Sequence, residues 1–374
     1  MQKNWISLGL MSGTSGDGVD ASIIKTDGIN EYELVKDVYF EYDLKIYKDI
    51  HNLKEKIHKI EHLEKYKNEI NILERNLTIF HAEIIKKLNI SENTLIGFHG
   101  QTIYHNPDNK ISRQLGNAKL LSQLTNKNIV FNFRKNDILN GGQGAPLTPI
   151  FHNLICIKNE IRLPVCFLNI GGISNITIVK DKENLSELIS KDIGPGNCLI
   201  DAWVRKNSDK KFDRDGKLAL SGTKNEIIFE QAQELYANRI GKKKLSLDVN
   251  DFDISFVRGL SLPDGVATLT DFTAGIIGEE ISLSLREFTE KSLDILICGG
   301  GRKNKILLEK IKQNISSNIN LKLIDDYNIN GDFIESQAFA FLAVRSVQQL
   351  PISYPSTTGC RNPCVGGELI KKLN

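Results

Sequence analysis

The chain has 374 residues, of which 40% are hydrophobic and 25% are charged, and its formal net charge is +2 at pH 7. This near balance gives no support to a nucleic-acid partner or to a membrane-surface role, and no apolar run is long enough to span a membrane. The length predicts two domains, because one compact core seldom includes so many residues. Six cysteines without a disulfide framework, and a first strand that no signal peptide precedes, predict a cytoplasmic protein.

Residues 5–43 have the pattern of strands joined by turns, and the first turn is rich in glycine and hydroxyl groups. Its sequence is Met11-Ser12-Gly13-Thr14-Ser15-Gly16-Asp17-Gly18-Val19-Asp20. Glycine permits a compact turn, and the N–H groups and hydroxyls of such a turn can hold an anion such as phosphate. Asp17, beside these hydroxyls, is a candidate to hold Mg²⁺ through water. The alternatives are a hairpin without a ligand and, for Asp17, an Asx-turn residue.

Residues 44–90 carry apolar side chains at helical spacing and contain no glycine or proline, which predicts two helices. The predicted buried face includes Ile72, Leu73, Leu77, Phe80, Ile84 and Ile85. A strand at 94–98 then leads into a polar loop at 99–107, which holds His99 and Gln101. For His99, a structural hydrogen bond is the alternative to a role in catalysis.

A short helix and a strand at 128–133 follow, and Arg134 comes directly after this strand. Arg134 is a candidate to bind a carboxylate or phosphate through two parallel hydrogen bonds, and the alternative is a surface ion pair. The glycine-rich segment 141–146 breaks regular structure and is a suitable place for the chain to cross between domains.

The second half predicts strands at 164–170, 176–179 and 294–298, and helices at 197–208, 224–240, 271–290 and 305–313. Strands mixed with helices throughout predict an α/β fold. Glycine-rich turns follow strands at 12–18, 171–172 and 299–301. Glycine there lets the backbone approach a phosphate, so the turns together predict a nucleotide held between two lobes. Neither a P-loop string nor a G-x-G-x-x-G string is present.

Asp192 is the strongest candidate for a catalytic residue. It precedes Gly194-Pro195-Gly196, a turn that would expose its carboxylate at a cleft while Asn197 caps the next helix. A carboxylate in that position can accept a proton from a nucleophile within hydrogen-bonding distance. The alternative is that Asp192 only caps the helix.

Two metal-like strings carry less weight. His58-Lys59-Ile60-Glu61-His62 matches the zinc-protease string H-x-x-E-H, but its surroundings are rich in Lys and Glu and indicate a solvated helix. Cys360 and Cys364 lack a matching second pair, which makes them a weak metal signal.

The ordered set of motifs resembles the anhydro-N-acetylmuramic acid kinases, a family of the sugar kinase, actin and heat-shock chaperone ATPase superfamily. The resemblance covers essentially the whole chain. The motifs are Gly9–Asp20, His99-Gly100-Gln101-Thr102-Ile103 with His105, Gly141–Pro146, Asn169–Thr177, Asp192–Asn197, Ala267–Thr270, Gly299–Arg302 and Glu335–Ala340.

This resemblance implies a two-lobed sugar kinase/actin-like fold with ribonuclease H-like domains and a central cleft. The N-terminal lobe would comprise residues 1–133 and about 340–374, and the C-terminal lobe residues 134–339. It also implies a homodimeric enzyme of peptidoglycan recycling that depends on ATP and Mg²⁺. Such enzymes use water to open the 1,6-anhydro bridge of the sugar while they phosphorylate O6, which yields N-acetylmuramic acid 6-phosphate.

Carried over residue by residue, the resemblance assigns Asp192 as the base that activates water. The residues expected to contact ATP are Gly13, Thr14, Ser15, Gly16, Asp17, Gly18, Val19, Asp20, Gly171, Gly172, Gly299, Gly300 and Gly301, with Asp17 also expected at Mg²⁺. The residues expected to bind the sugar are His99, Gln101, Arg134, Asn197 and Glu335.

The chain also departs from the family pattern. Asn132 stands where the family usually has an acidic residue, Leu245–Asn250 replaces a Lys-Ser-Thr-Gly-Arg-Glu run, and Gly16 replaces a bulkier residue. These positions bear on contacts to the sugar substituents more than on phosphoryl transfer. A kinase of another 1,6-anhydrosugar, such as levoglucosan, is therefore the first alternative. A nucleotide-switch scaffold and a zinc protease are the others.

Overall fold

The computed structural model describes residues 4–239, 247, 249–288 and 292–372. Its elements confirm the predicted α/β class. In chain order the strands and helices begin with β1 (Trp5–Ser12), β2 (Gly18–Thr26), β3 (Tyr32–Glu41), α1 (Leu44–Lys56), α2 (Glu61–Lys65), α3 (Lys67–Leu88), β4 (Leu95–Asn106), β5 (Ile111–Leu115), α4 (Ala118–Thr125), β6 (Ile129–Phe131), α5 (Lys135–Leu139) and α6 (Pro149–Lys158).

They continue with β7 (Val165–Ile170), β8 (Ile173–Val179), β9 (Ile189–Pro195), α7 (Cys198–Asn207), α8 (Lys217–Ser221), α9 (Glu226–Arg239), α10 (Leu262–Ser284), β10 (Leu293–Cys298), α11 (Lys305–Gln313), β11 (Ile319–Leu323), α12 (Ile334–Val347), α13 (Pro355–Thr358) and β12 (Glu368–Ile370). Among the described residues, each helix is too short or too polar to serve as a transmembrane segment.

The chain divides into two compact units. Unit 1 takes its residues from Met1–Leu163, Val179–Ile189 and Asp332–Asn374, and unit 2 from Pro164–Ile178 and Ser190–Gly331. The predicted lobes differ from these units, because residues 134–163, 179–189 and 332–339 belong to unit 1. Phe151 in α6 explains part of the difference, since its ring contacts those of Tyr32 and Phe341 at centroid distances of 5.1 and 5.9 Å.

Unit 1 is built on a mixed sheet with the order β12-β6-β4-β1-β2-β3, to which β5 adds by pairing with β4. Strands β1, β4 and β6 are parallel, whereas β2 and β3 are antiparallel additions beside β1. Apolar side chains of β1, β2 and β4 are buried together with those of α1, α3 and α4. The turn between β1 and β2 therefore follows a central strand of the sheet.

Two glycines allow α12 to lie directly on this sheet. Gly9 in β1 and Gly97 in β4 are register partners. A Cβ atom on Gly9 would lie 1.9 Å from the Ser336 carbonyl oxygen, and one on Gly97 would lie 2.2 Å from the Phe339 carbonyl oxygen. Since only glycine permits this approach, β1 and α12 are locked together, and the first turn of α12 lies beside β1 and β2.

Unit 2 is built on a second sheet with the order β11-β10-β7-β8-β9, in which β10 runs parallel to both β7 and β11. Its apolar core is formed largely by α7, α9 and α10 and includes Trp203, Leu269 and Phe272. The glycine turns at 171–172 and 299–301 each follow one of the parallel strands β7 and β10, as the sequence predicts.

Four expectations need correction. Residues 44–90 form three helices, α1 to α3, where the sequence predicts two. The polar loop predicted at 99–107 is mostly strand, because β4 continues to Asn106 and pairs with β5 as a hairpin. Helix α10 begins at Leu262 instead of near residue 271, with Ser261 as its N-cap. Ile72 is 60% exposed, because it lies off the face of α3 that buries Leu73 and Leu77.

Candidate functional site

The loop between β1 and β2 is held by buried hydrogen bonds in unit 1. Ser12 Oγ donates to Gln101 Oε1 at 2.6 Å, and Gln101 Nε2 donates to the Gly13 carbonyl at 3.0 Å. The Tyr42 hydroxyl donates to Ser12 Oγ at 2.9 Å. Gln101 is fully buried in β4. The oxygen and the nitrogen of its side-chain amide each form a hydrogen bond with the loop. The structure therefore places Gln101 beneath the loop, where it positions the backbone.

The tip of the same loop is a compact and accessible turn. The Gly16 N–H donates to the Gly13 carbonyl at 3.1 Å, and Lys54 Nζ donates to the Thr14 carbonyl at 2.7 Å. Thr14 and Ser15 are exposed. A turn with exposed hydroxyls next to glycine backbone has the chemistry to receive phosphate oxygens.

Carboxylates converge beside this loop. Asp20 in β2 has a pKa raised from 3.8 to about 8, first because of burial and then because of the charges of Glu335, Asp17, Asp332 and Asp37. The fold thus brings together three residues that the sequence predicts for the site, namely Asp17, Asp20 and Glu335. It adds Asp332 and Asp37, which the sequence interpretation missed.

The raised pKa of Asp20 predicts a pH-dependent stability. The folded protein retains a proton that the unfolded chain has lost, between a pH near 4 and a pH near 8, so stability falls as pH rises through this window. Urea unfolding across that range should show this decline, and Asp20→Asn, which keeps the neutral form, should flatten it. An equally steep decline in the variant would contradict the assignment to Asp20.

His99 and Arg134, both predicted to bind the sugar, lie in contact. His99 Nδ1 donates to the Gly100 carbonyl at 2.8 Å, and His99 Nε2 accepts from Arg134 Nη2 at 2.9 Å. Burial and the Arg134 charge hold the pKa of His99 well below its ordinary value, so the ring is neutral at pH 7. Arg134 also donates to the Gly144 carbonyl at 2.8 Å. The guanidinium is therefore oriented by a neutral imidazole and a carbonyl.

In unit 2 the turn at Gly171 and Gly172 contacts the start of α7. The N–H groups of Gly196 and Cys198 donate to the Gly172 carbonyl at 2.9 and 3.2 Å, and the Asn197 N–H donates to the Gly171 carbonyl at 2.8 Å. The expectation that the Asn197 side chain caps the helix is wrong, because it makes no capping hydrogen bond. Instead, the backbone carbonyls of the glycine turn accept hydrogen bonds from the N–H groups at the start of the helix.

The turn Gly299–Gly301 lies next to the end of β7. A Cβ atom on Gly299 would lie 2.3 Å from Asn169 Oδ1, and one on Gly301 would lie 2.2 Å from Ile170 Cγ2, whereas Gly300 faces open space. The two glycine turns of unit 2 therefore follow the carboxyl ends of adjacent parallel strands. Ligands of open α/β sheets bind at that edge.

Asp192 lies within β9 and is half-buried. Its Oδ2 atom accepts the Leu247 N–H at 2.8 Å, so a backbone group holds the carboxylate in place. Leu247 belongs to the segment 245–250 that departs from the family pattern. Residues 245, 246 and 248 of that segment lie outside the described residues.

The family model described as anhydro-N-acetylmuramic acid kinase matches residues 5–372. The chain belongs to this family. The anhydro-N-acetylmuramic acid kinase of Pelagibacter ubique is 53% identical over 99% of this chain and 100% of its own length. Those of Agrobacterium fabrum and Zymomonas mobilis are 33% and 35% identical, over 98% and 97% of this chain and 98% and 99% of their own lengths.

Among solved structures, a hexokinase from Schistosoma mansoni complexed with glucose aligns over 91% of this chain and 85% of its own, with 10% identity and a TM-score of 0.43. That likeness is too distant to transfer any residue of its site.

Asn132, one of the positions where the sequence departs from the expected family pattern, bonds a glutamate on β12. Asn132 Nδ2 donates to Glu368 Oε2 at 3.2 Å, and Lys135 Nζ contacts the other oxygen of Glu368 at 2.7 Å. A carboxylate at position 132 would face a like charge, so the amide fits its partner on β12.

The residues of the zinc-protease string do not come together as a metal site in the described part of the chain. Helix α2 begins only at Glu61, and the exposed His58 bonds the Glu55 carbonyl. Among the described residues, His58, Glu61 and His62 do not form a group with metal-ligand spacing. The zinc-protease hypothesis has no support in this geometry.

Proposed function

We propose that this chain is an ATP-dependent kinase that hydrolytically phosphorylates 1,6-anhydro-N-acetylmuramic acid to N-acetylmuramic acid 6-phosphate in peptidoglycan recycling. The observation that carries this proposal is the family match over residues 5–372, with a 53% identical relative of the same name over its full length. Nothing found favours the levoglucosan alternative.

Asp192 is the general base of this proposal. Its carboxylate accepts a proton from a water molecule whose oxygen bonds to C1 of the sugar while the bond from C1 to the bridging oxygen breaks. The released O6 then bonds to the γ-phosphorus of ATP, and the bond between that phosphorus and the β,γ-bridging oxygen breaks to leave ADP. The bond from the Leu247 N–H to Asp192 supports this role, because a fixed carboxylate keeps its orientation toward the water.

The glycine turns bind ATP in this proposal. Residues Gly13–Asp20 contact the phosphates, which fits the accessible turn and its hydroxyls. Gly171–Gly172 and Gly299–Gly301 lie against the nucleotide, and the open space at Gly300 allows a close approach of backbone to ligand.

The residues around Asp20 fit Mg²⁺. Their donor atoms are carboxylate oxygens, which Mg²⁺ prefers. Burial first, and then the neighbouring carboxylate charges, raise the pKa of Asp20, and a cation would relieve the repulsion between these charges. Asp17 would hold the ion through water, and its carboxylate is oriented by the Ser15 hydroxyl at 2.6 Å. When bound, Mg²⁺ neutralises charge on the transferred phosphate.

The sugar is held by Glu335, His99 and Arg134, with contributions from Asn197, while Gln101 acts indirectly by positioning the loop. Arg134 suits the lactyl carboxylate of the substrate, because guanidinium groups bind carboxylates through paired hydrogen bonds. Its contact with neutral His99 supports this assignment, since that contact orients the guanidinium without neutralising its charge.

Arg134→Gln should raise the KM for 1,6-anhydro-N-acetylmuramic acid by about 10- to 100-fold, because a hydrogen bond to a charged group contributes about 1.5–3 kcal/mol. The KM for ATP should stay near the wild-type value. Steady-state kinetics with each substrate varied in turn measures both constants. Equal rises in the two constants would argue against a sugar-specific role.

The proposal as a whole is tested by turnover on two sugars under identical conditions with ATP. It predicts phosphorylation of 1,6-anhydro-N-acetylmuramic acid and little turnover of levoglucosan, which lacks the lactyl and acetamido groups. A preference for levoglucosan would show that levoglucosan, and not 1,6-anhydro-N-acetylmuramic acid, is the substrate. ATP hydrolysis that neither sugar stimulates would favour a nucleotide switch.

A homodimer and a cytoplasmic location complete the proposal. The homodimer rests on the family resemblance, and the cytoplasmic location rests on the cysteine pattern and the first residues of the chain. Sedimentation of the purified chain tests the homodimer. A monomer at micromolar concentration would remove the dimer from the account.

A further inference from the structure

Two cysteines from the C-terminal segment meet a buried aspartate of α5 in unit 1. One ligand atom each from Asp137, Cys360 and Cys364 lies within 4.8 Å of the other two. All three side chains are buried, with exposed fractions of 1%, 1% and 4%. Asp137 is more than two hundred positions from the two cysteines in sequence, so the fold alone brings it to them.

We propose that Asp137, Cys360 and Cys364 form a structural Zn²⁺ site. Two thiolates and one carboxylate are ligands that Zn²⁺ accepts, and their mutual spacing is that of one coordination shell. Mg²⁺ and Ca²⁺ take oxygen ligands almost exclusively, and Cu⁺ prefers sulfur ligands alone. The mixed donor set therefore selects zinc.

The carboxylate is already oriented for a metal. Asp137 Oδ1 accepts the hydroxyls of Ser353 and Thr358 at 2.5 and 2.6 Å, and Oδ2 accepts the Gly144 N–H at 2.7 Å. Hydrogen bonds of this kind to a ligating carboxylate orient it and tune the site. The same two hydroxyls also bond Cys360, so either could supply a fourth ligand, as could water.

Charge balance makes the burial of zinc feasible. Zn²⁺ binds cysteines as thiolates, so the two cysteines together supply two negative charges that offset the charge of the ion. When Zn²⁺ replaces the two thiol protons, the net charge of the cluster is unchanged. Metal binding thus adds no uncompensated charge to the interior.

The site would join the C-terminal segment to the loop after α5. Backbone bonds already run from Gln143 N–H to the Thr358 carbonyl at 2.8 Å and from Arg361 N–H to the Asn140 carbonyl at 3.1 Å. Zinc would reinforce this connection. The connected loop includes Gly144, whose carbonyl accepts a hydrogen bond from Arg134.

Metal content of the full-length, tag-free chain tests the proposal. We expect protein that is expressed with zinc in the medium, and purified in buffer with a metal-free reductant, to contain about one zinc ion per chain. Inductively coupled plasma mass spectrometry measures this content. Cys360→Ser/Cys364→Ser should lose it. The matched control Cys166→Ser, which removes a buried thiol of unit 2, should keep it.

Cobalt provides a second readout that does not depend on activity. Titration of the metal-free protein with Co²⁺ should give a thiolate-to-metal charge-transfer band that saturates near one equivalent. Each single serine variant should lose about half of its intensity. Asp137→Asn should keep the band but bind more weakly, provided that circular dichroism shows a folded chain.

Zinc retained by the double variant would overturn the proposal. So would a folded, reduced wild-type chain with neither zinc nor a charge-transfer band. Neither result would bear on the kinase proposal, because sugar turnover is measured separately.

Discussion

Asp192→Asn is expected to lower kcat by about 100- to 10,000-fold, the usual contribution of a positioned general base. The amide keeps the shape of the side chain and still accepts the Leu247 N–H through its oxygen, but it takes no proton from water. ATP binding should change little, since the glycine turns supply the expected phosphate contacts. Steady-state kinetics and calorimetric titration with ATP measure the two effects.

Asp294→Asn is the matched control for this variant. Asp294 is also a half-buried carboxylate on a strand of unit 2, but it bonds Lys322 at 2.6 Å near the start of β10, away from the glycine turn that follows the strand. The kcat of Asp294→Asn should remain within a few-fold of the wild-type value. Retained activity in Asp192→Asn, or an equal loss in both variants, would remove Asp192 as the base.

Gly9→Ala is expected to destabilise the protein by about 3 kcal/mol or to prevent folding, at the upper end of what overpacking costs. The new methyl group would lie 1.9 Å from the Ser336 carbonyl and 2.6 Å from the Ala340 N–H. Both contacts are backbone of α12, so no side-chain rotation relieves them. Chemical denaturation monitored by circular dichroism measures the loss.

Gly13→Ala provides the control, since the nearest atom to its new methyl group is Ser15 Oγ at 3.9 Å. Its stability should stay within about 0.5 kcal/mol of the wild type, as for an ordinary surface change. If Gly9→Ala were equally well tolerated, α12 would not be locked onto β1, and the position of Glu335 beside Asp20 would need another explanation.

Local signals made part of the site predictable. The glycine and hydroxyl residues between β1 and β2 form a recognisable turn, and the glycine turns at 171–172 and 299–301 each follow an apolar strand. Asp192 stood out because a glycine-rich turn follows it. These features depend on residues close in sequence, which is why pattern and composition reveal them.

Features created by tertiary pairing could not be predicted in the same way. Asp37 reaches the carboxylate cluster because β3 pairs with β2, where Ser22 Oγ donates to it at 2.5 Å. Asp332 comes from the segment before α12. No local pattern marks either residue. The second half of β4 resembled a loop in the sequence because it is polar and lacks the alternation of apolar and polar residues that is typical of a strand, although it pairs with β5.

The most direct test of the proposed reaction is the mass of the product made in heavy-oxygen water. The account predicts N-acetylmuramic acid 6-phosphate with one heavy oxygen at C1 and none in the phosphate at early times. Unlabelled product incubated in the same water corrects for slow exchange at C1. A phosphorylated sugar that still contains the anhydro bridge, and so lacks the added water, would contradict it.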